Sequence, residues 1–196
     1  MDTAGFLAAP EATTDAQRLL DEDLAELGYV MNCTRLWNYQ PATVTGLFEL
    51  MGVANAVDRF DLRQRGILVT AATSAFGDAY CTLAWGRKLA ELTDERTAAG
   101  VVAGTDERLS PAERAMAGWA RKVARAPNGT TAEDVQQLRD AGFTDPQIFT
   151  MTVLVALRLA FSTVNDALGA GPDRGLHDST PAAVRDAVTF GRPVDA

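Results

Sequence analysis

The feature that most constrains this chain is its punctuation: it starts and stops helices repeatedly and almost never signals a strand. Ser110-Pro111-Ala112-Glu113 and Thr144-Asp145-Pro146-Gln147 each read as a capping box with proline in the first helical turn. In this motif the side chains at the cap and three residues on satisfy each other's backbone N–H groups. Leucines at 19, 20, 24 and 27 fall on one face of a segment over residues 14–27, which Gly28 ends. Pro41 opens a segment through Val57. Further apolar periodicity covers 62–76, 79–92 and, after Asp94, a short piece ending near Gly104. The Ser110 helix turns Met116, Trp119, Ala120 and Val123 inward. A short helix after Thr131 ends at Gly142, and a long apolar one runs from Thr144 to about Leu168. That last helix is apolar on nearly all sides, which predicts a central, buried position. No Asn-Gly or Asp-Gly hairpin separates alternating apolar runs, and Asn128-Gly129 lies between helical patterns as a turn. The expectation is one all-α domain over residues 14–170, a flexible N-terminus over 1–13, and a C-terminal tail over 171–196 whose short helix docks loosely.

Composition narrows the function classes. Of 196 residues, 47% are hydrophobic, enough for a core, and the net charge is −8. An acidic chain without a basic stripe cannot replace the counterions of nucleic acid or of an anionic membrane, so neither is expected as a partner. The apolar run Ile148–Ala160 is too short and too interrupted to be expected to span a bilayer. The N-terminus has Asp2 and no positively charged leader pattern, so a cytoplasmic location is expected. Two cysteines, Cys33 and Cys81, then imply free thiols rather than a disulfide. With one histidine, His177, in the tail, no metal site is readable. Phosphate loops, nucleophile elbows and haem, flavin or nicotinamide motifs are absent from the sequence, so no cofactor is expected.

The order of the segments carries a family resemblance. Gly28-Tyr29-Val30-Met31-Asn32-Cys33-Thr34-Arg35-Leu36-Trp37, Leu62-Arg63-Gln64-Arg65-Gly66-Ile67-Leu68-Val69, Tyr80-Cys81, the Leu109–Met116 stretch and Ala141-Gly142-Phe143-Thr144-Asp145-Pro146-Gln147-Ile148 follow one another as in one known superfamily. This is the alkylhydroperoxidase D / carboxymuconolactone decarboxylase superfamily, in its peroxidase-related branch, which the chain resembles over roughly residues 28–170. The resemblance implies a helical domain that assembles as a dimer, trimer or hexamer. In the family's peroxidases a Cys-x-x-Cys pair opens a helix, a histidine lies four residues after the second cysteine, and a relay glutamate lies twelve before the first. Here those positions read Asp78, Cys81, Trp85 and Gly66. The thiolate, its resolving partner and its base are thus reduced to one cysteine, and a dithiol cycle within this motif is not expected.

Three readings remain for such a site. In the first, the chain is a cofactor-independent enzyme of lyase or isomerase type that acts on a small organic acid or carbonyl compound. Asp78 moves protons, Tyr80 holds an oxyanion and Cys81 lies between them. Trp85 shapes the pocket, and Arg158 anchors a carboxylate with Ser162 extending the polar lining. In the second, the site is decayed and the protein binds or assembles: Asp78 is a helix N-cap, Trp85 fills the histidine's volume, and Arg158 is an interface or helix-pairing charge. In the third, Cys81, its pKa lowered by the helix N-terminus, is the nucleophile of a one-cysteine peroxidase.

Overall fold

The computed structural model describes residues 3–194. Among them are eleven α-helices: α1 (Thr14–Leu27), α2 (Asn32–Trp37), α3 (Pro41–Asp58), α4 (Leu62–Phe76), α5 (Ala79–Leu92), α6 (Glu95–Ala103), α7 (Pro111–Arg125), α8 (Ala132–Asp140), α9 (Asp145–Leu168), α10 (Arg174–Ser179) and α11 (Ala182–Ala187). The expected all-α domain is the observed one. Both expected capping boxes form. Ser110 and Glu113 exchange bonds at the start of α7, as do Thr144 and Gln147 at α9. Asp61 with Gln64, and Thr131 with Asp134, make two more.

The core is organised around α4. Every residue from Gly66 to Thr73 is buried, because α5, α6, α7 and α9 surround this helix. That central place was expected of α9. Instead α9 packs on α3, α4 and α7 and leaves Phe149, Ala156, Ala160, Thr163 and Ala167 along an outer stripe. The misreading has a simple cause: most of the outward positions are alanine, which is apolar by type but adds little hydrophobic area. The same helix is 24 residues long with a mean hydropathy of 1.6 over its most apolar 18-residue window. By length and composition it would suffice to cross a membrane, contrary to the sequence expectation, although core helices share that composition.

Two other expectations are corrected. The leucine face of α1 is only partly covered, with Leu24 and Leu27 exposed. The buried polar residue of that helix is Asp23, whose carboxylate accepts the Met31 amide at 2.9 Å and so ties α1 to the start of α2. In the described residues the N-terminal segment and the C-terminal tail also pack more closely than expected. A hairpin of β1 (Thr3–Ala4) and β2 (Leu7–Ala8) docks on the end of α9, where Phe6 N–H donates to the Leu168 carbonyl at 2.8 Å. The C-terminal helix α11 is pressed onto α5 and α6 through fully buried Val184. A Cβ at Gly86 would lie 2.7 Å from Val184 Cγ1, so α5 needs glycine there to receive it.

Val184→Ala is therefore expected to cost about 1–3 kcal/mol, as for a methyl deletion in a packed core, read as a lower melting temperature. A loosely docked tail would leave the melting temperature unchanged.

Candidate functional site

The site is built at the turn between α4 and α5. Gly77 ends α4 in a left-handed conformation, φ 91°, and the next residue, Asp78, caps α5. Asp78 is 0% exposed; its Oδ1 accepts the Cys81 amide at 2.9 Å. Its second oxygen, Oδ2, is buried and receives no hydrogen bond from a nitrogen or oxygen donor; the polar group beside the carboxyl is the Cys81 thiol. The capping and chemical readings of this residue are thus compatible, since one oxygen caps the helix and the other is left over.

The Cys81 thiol lies against the Asp78 carboxyl and the Ser162 hydroxyl, and within the field of Arg158. Burial pushes this thiol well above its ordinary value, and the Asp78 charge raises it further; Arg158 and Ser162 pull the other way without prevailing. Ser162 is itself fully buried and has no nitrogen or oxygen partner for its hydroxyl. Arg158, one turn earlier on α9, is 7% exposed. Its guanidinium carbon stands 5.4 Å from the centre of the Trp85 ring and 5.5 Å from those of Phe48 and Phe161. Its Nη2 reaches Met51 Sδ at 3.7 Å, and its Nε has no partner. Among the described residues no carboxylate lies within the 4.0 Å of an ion pair with it.

Magnitudes make this arrangement informative. Removing a guanidinium from water costs several kcal/mol, and each aromatic face returns about 0.5–2 kcal/mol. Three faces soften the penalty but leave Nε–H without an acceptor, and an uncompensated buried polar group is itself costly. The buried cation and the buried carboxyl group act on the same thiol.

Of the residues singled out in the sequence, the structure gathers Asp78, Cys81, Ser162, Arg158 and Trp85. Tyr80 does not join them. Its hydroxyl donates to Asp173, whose other oxygen accepts the Asn32 amide at 2.8 Å. The phenol also faces Cys33, and burial raises its pKa strongly. Consecutive helical residues point about 100° apart, so Tyr80 and Cys81 serve different sides of α5. Thr163 likewise turns outward. The missing relay glutamate has a structural counterpart: a Cβ at Gly66 would lie 3.3 Å from Leu89 Cδ1, so the leucine takes that space. His177 is half-exposed beside Asp178.

Other parts of the site were not read from the sequence. Phe48, Met51 and Phe161 complete the guanidinium's surroundings, although the spacing Arg158, Phe161, Ser162, Asp166 is that of one helix face. Asp166, half-buried and one turn after Ser162, has its pKa raised to about 7 by burial and by the charge of Asp78, with Arg192 opposing. Arg192 donates to the Asp166 carbonyl at 3.0 and 2.5 Å. It belongs to a C-terminal strap that crosses the α4–α5 turn. There Gly191 passes so close that a Cβ would lie 2.7 Å from the Gly77 carbonyl and the Ala79 amide. The Asp78 turn is thereby sealed from outside. Groups of three or more histidine, cysteine, aspartate or glutamate side chains able to hold a metal ion are absent among the described residues.

No family model matches the sequence, and no curated protein matches it. Solved structures do. One is an alkylhydroperoxidase AhpD core, a peroxidase-related protein from Ralstonia eutropha JMP134, with a TM-score of 0.73, 22% identity and coverage of 90% of this chain and 96% of that one. A peroxidase-related protein from Silicibacter sp. TM1040 gives 0.73, 20%, 90% and 95%. A cysteine-to-alanine variant of the debrominase Bmp8, in complex with 2,3,4-tribromopyrrole, gives 0.70, 17%, 96% and 97%. The chain has the AhpD-like helical fold that the motif order implied.

Asp166 supplies a pH test. An acid whose pKa is higher in the folded protein binds more protons there than in the unfolded chain, so stability falls as pH rises from its ordinary value toward about 7. Asp166→Asn is expected to melt with wild type at pH 4 and above it at pH 8. Parallel melting-temperature profiles from pH 4 to 8 would show that Asp166 does not titrate in this way.

Proposed function

We propose that this protein is a cofactor-independent enzyme that transfers protons on a small, flat, conjugated or aromatic acid. The observation that carries the reading is a pair of buried charged groups short of partners: among the described residues the Arg158 guanidinium has no carboxylate on it, and Asp78 Oδ2 has only the Cys81 thiol beside it. The substrate carboxylate binds Arg158, whose planar fork matches it. Trp85, Phe48 and Phe161 offer ring faces to a planar body. Asp78 Oδ2 takes a proton from a carbon activated by the substrate's carbonyl group. The resulting enolate spreads its charge onto oxygen, which Arg158 stabilises, and the protonated Asp78 returns the proton at a second carbon. Ser162 and the Cys81 S–H are short-range donors to the same space.

The bromopyrrole seen with Bmp8 supports a small ring as a ligand on this fold. A one-cysteine peroxidase is disfavoured, because the nucleophile is the thiolate and both burial and Asp78 hold Cys81 in its thiol form. The decayed-site reading predicts buried charges that are capped or paired; within the chain this fits one oxygen of Asp78, and a helix-pairing carboxylate for Arg158 is absent among the described residues.

The proposal is tested by proton NMR in D₂O, following deuterium uptake in a panel of unsaturated and aromatic acids. Asp78→Asn keeps a side-chain cap and is expected to lower exchange by about 10²-fold or more. Exchange at the wild-type rate would remove Asp78 from the mechanism.

The reading also includes a cytoplasmic homo-oligomer; both cysteines are free and buried. Leu50, Val53 and Val57 form an exposed apolar stripe on α3, and Phe149 at the start of α9 is 71% exposed. A second copy of the chain covers this face in the proposed assembly. Val53→Glu with Val57→Glu is expected to reduce the mass measured by light scattering, and an unchanged mass would place the interface elsewhere.

A further inference from the structure

A cavity of about 480 Å³ opens beside the site, between α1, α2, α3 and α9. Its walls include Trp37, Phe48 and Phe161, and two of these rings, Phe48 and Phe161, are the ones that flank Arg158. The cavity is therefore one aromatic layer from the guanidinium. Trp37 and Phe161 stack face to face, with centroids 5.5 Å apart and planes 1° from parallel. This pair is held in place, since Trp37 Nε1 donates to Asn165 Oδ1 at 2.9 Å and both rings are buried. Phe48 differs: it is 45% exposed and leans on Phe161 at 59°, with a centroid separation of 5.3 Å. Of the two rings that lie between the cavity and Arg158, Phe48 is thus the exposed one.

Resting on the reading of Arg158 as an anion anchor, we infer that this cavity is the subsite for the substrate's ring system, and that Phe48 sets how large that system can be. The volume is in the range of small-molecule sites, and the fixed Trp37–Phe161 floor provides a flat face for stacking. The exposed lining residues are Glu22 and Glu49 with Arg18, which is already paired with Glu22 at 2.6 Å. An anionic group is repelled at that mouth and attracted at Arg158, so the acid end points inward and the ring remains in the cavity. The substrate class is thus an acid with one or two rings that carries a C–H next to its carbonyl carbon.

Sodium 2-naphthoate is the probe, titrated into the full chain by calorimetry, with uncharged 2-naphthamide as comparator. Thr45→Phe, from α3, and Thr34→Trp, from α2, each fill the cavity without touching Asp78. Variants are used only if their melting is cooperative. The expected result is that naphthoate binds wild type, that each filled variant weakens it about tenfold or more, and that naphthamide binds about tenfold more weakly than naphthoate. If both filled variants bind naphthoate like wild type while Arg158→Gln loses it, the cavity is not the subsite and the anchor reading stands. Should Arg158→Gln and naphthamide both behave like wild type and naphthoate, the anchor reading fails and this inference with it. Absence of naphthoate binding to wild type also overturns the inference; the deuterium-exchange assay then judges Asp78 separately.

Discussion

The structure depends on the complete burial of the middle of one helix. From Gly66 to Thr73, α4 has no exposed residue, and its neighbours are arranged to make that possible. Close packing of helices requires small residues where backbones approach. Gly66 provides this against Leu89 of α5, and Gly86 on α5 provides it against Val184 of α11. Because α4 is fixed on all sides, the turn that ends it is fixed too. Gly77 reverses the chain in a conformation that suits glycine, and Asp78 begins the next helix at a set point in the core. The position of the candidate carboxylate is thus a consequence of core packing rather than of a local loop.

The polar groups around that point follow the same economy. A buried carboxylate has two oxygens and needs donors for both. Asp78 uses one for a helix cap, a task any N-cap residue performs, and the other has no nitrogen or oxygen donor on it. Arg158 is the counterpart on α9: its aliphatic stem and planar head fit among aromatic side chains, but rings accept hydrogen bonds poorly. Cys81 and Ser162 lie between the two charges. Above the turn, the C-terminal strap excludes water, which strengthens any electrostatic interaction inside. Tyr80 and Asp173 form a separate buried pair that joins α5 to the segment before α10, and this is a structural use of a residue whose sequence position suggested chemistry.

The helical elements were legible because their signals are local. Capping boxes at Ser110 and Thr144, glycine stops at Gly28, Gly104 and Gly169, and proline starts at Pro41, Pro111 and Pro146 act within one turn of chain. The contrast between Asp78, Cys81, Trp85 and Gly66 and the family's motif was also a matter of spacing. Relative burial was less legible. In α9, alanines at 156 and 160 look like core by type yet face outward, while in α1 Asp23 is buried where leucines are exposed, because its carboxylate holds a backbone amide from the next helix. Phe48, Met51 and Asp166 could not be assigned to the site from spacing alone, since they reach it from a different helix or through a field from Asp78.

By itself, then, the sequence determined where helices begin and end, which redox groups the motif lacks, and that a lone arginine stands in an apolar helix. These are properties of adjacent residues and of hydrogen bonds within one turn. Only the tertiary structure decided that this arginine meets three rings and, among the described residues, no carboxylate, that Tyr80 belongs to Asp173 and not to Cys81, and that Asp78 uses one oxygen to cap its helix. Those outcomes depend on which helix faces which, and that is set by packing around α4, where contacts join residues far apart in the chain.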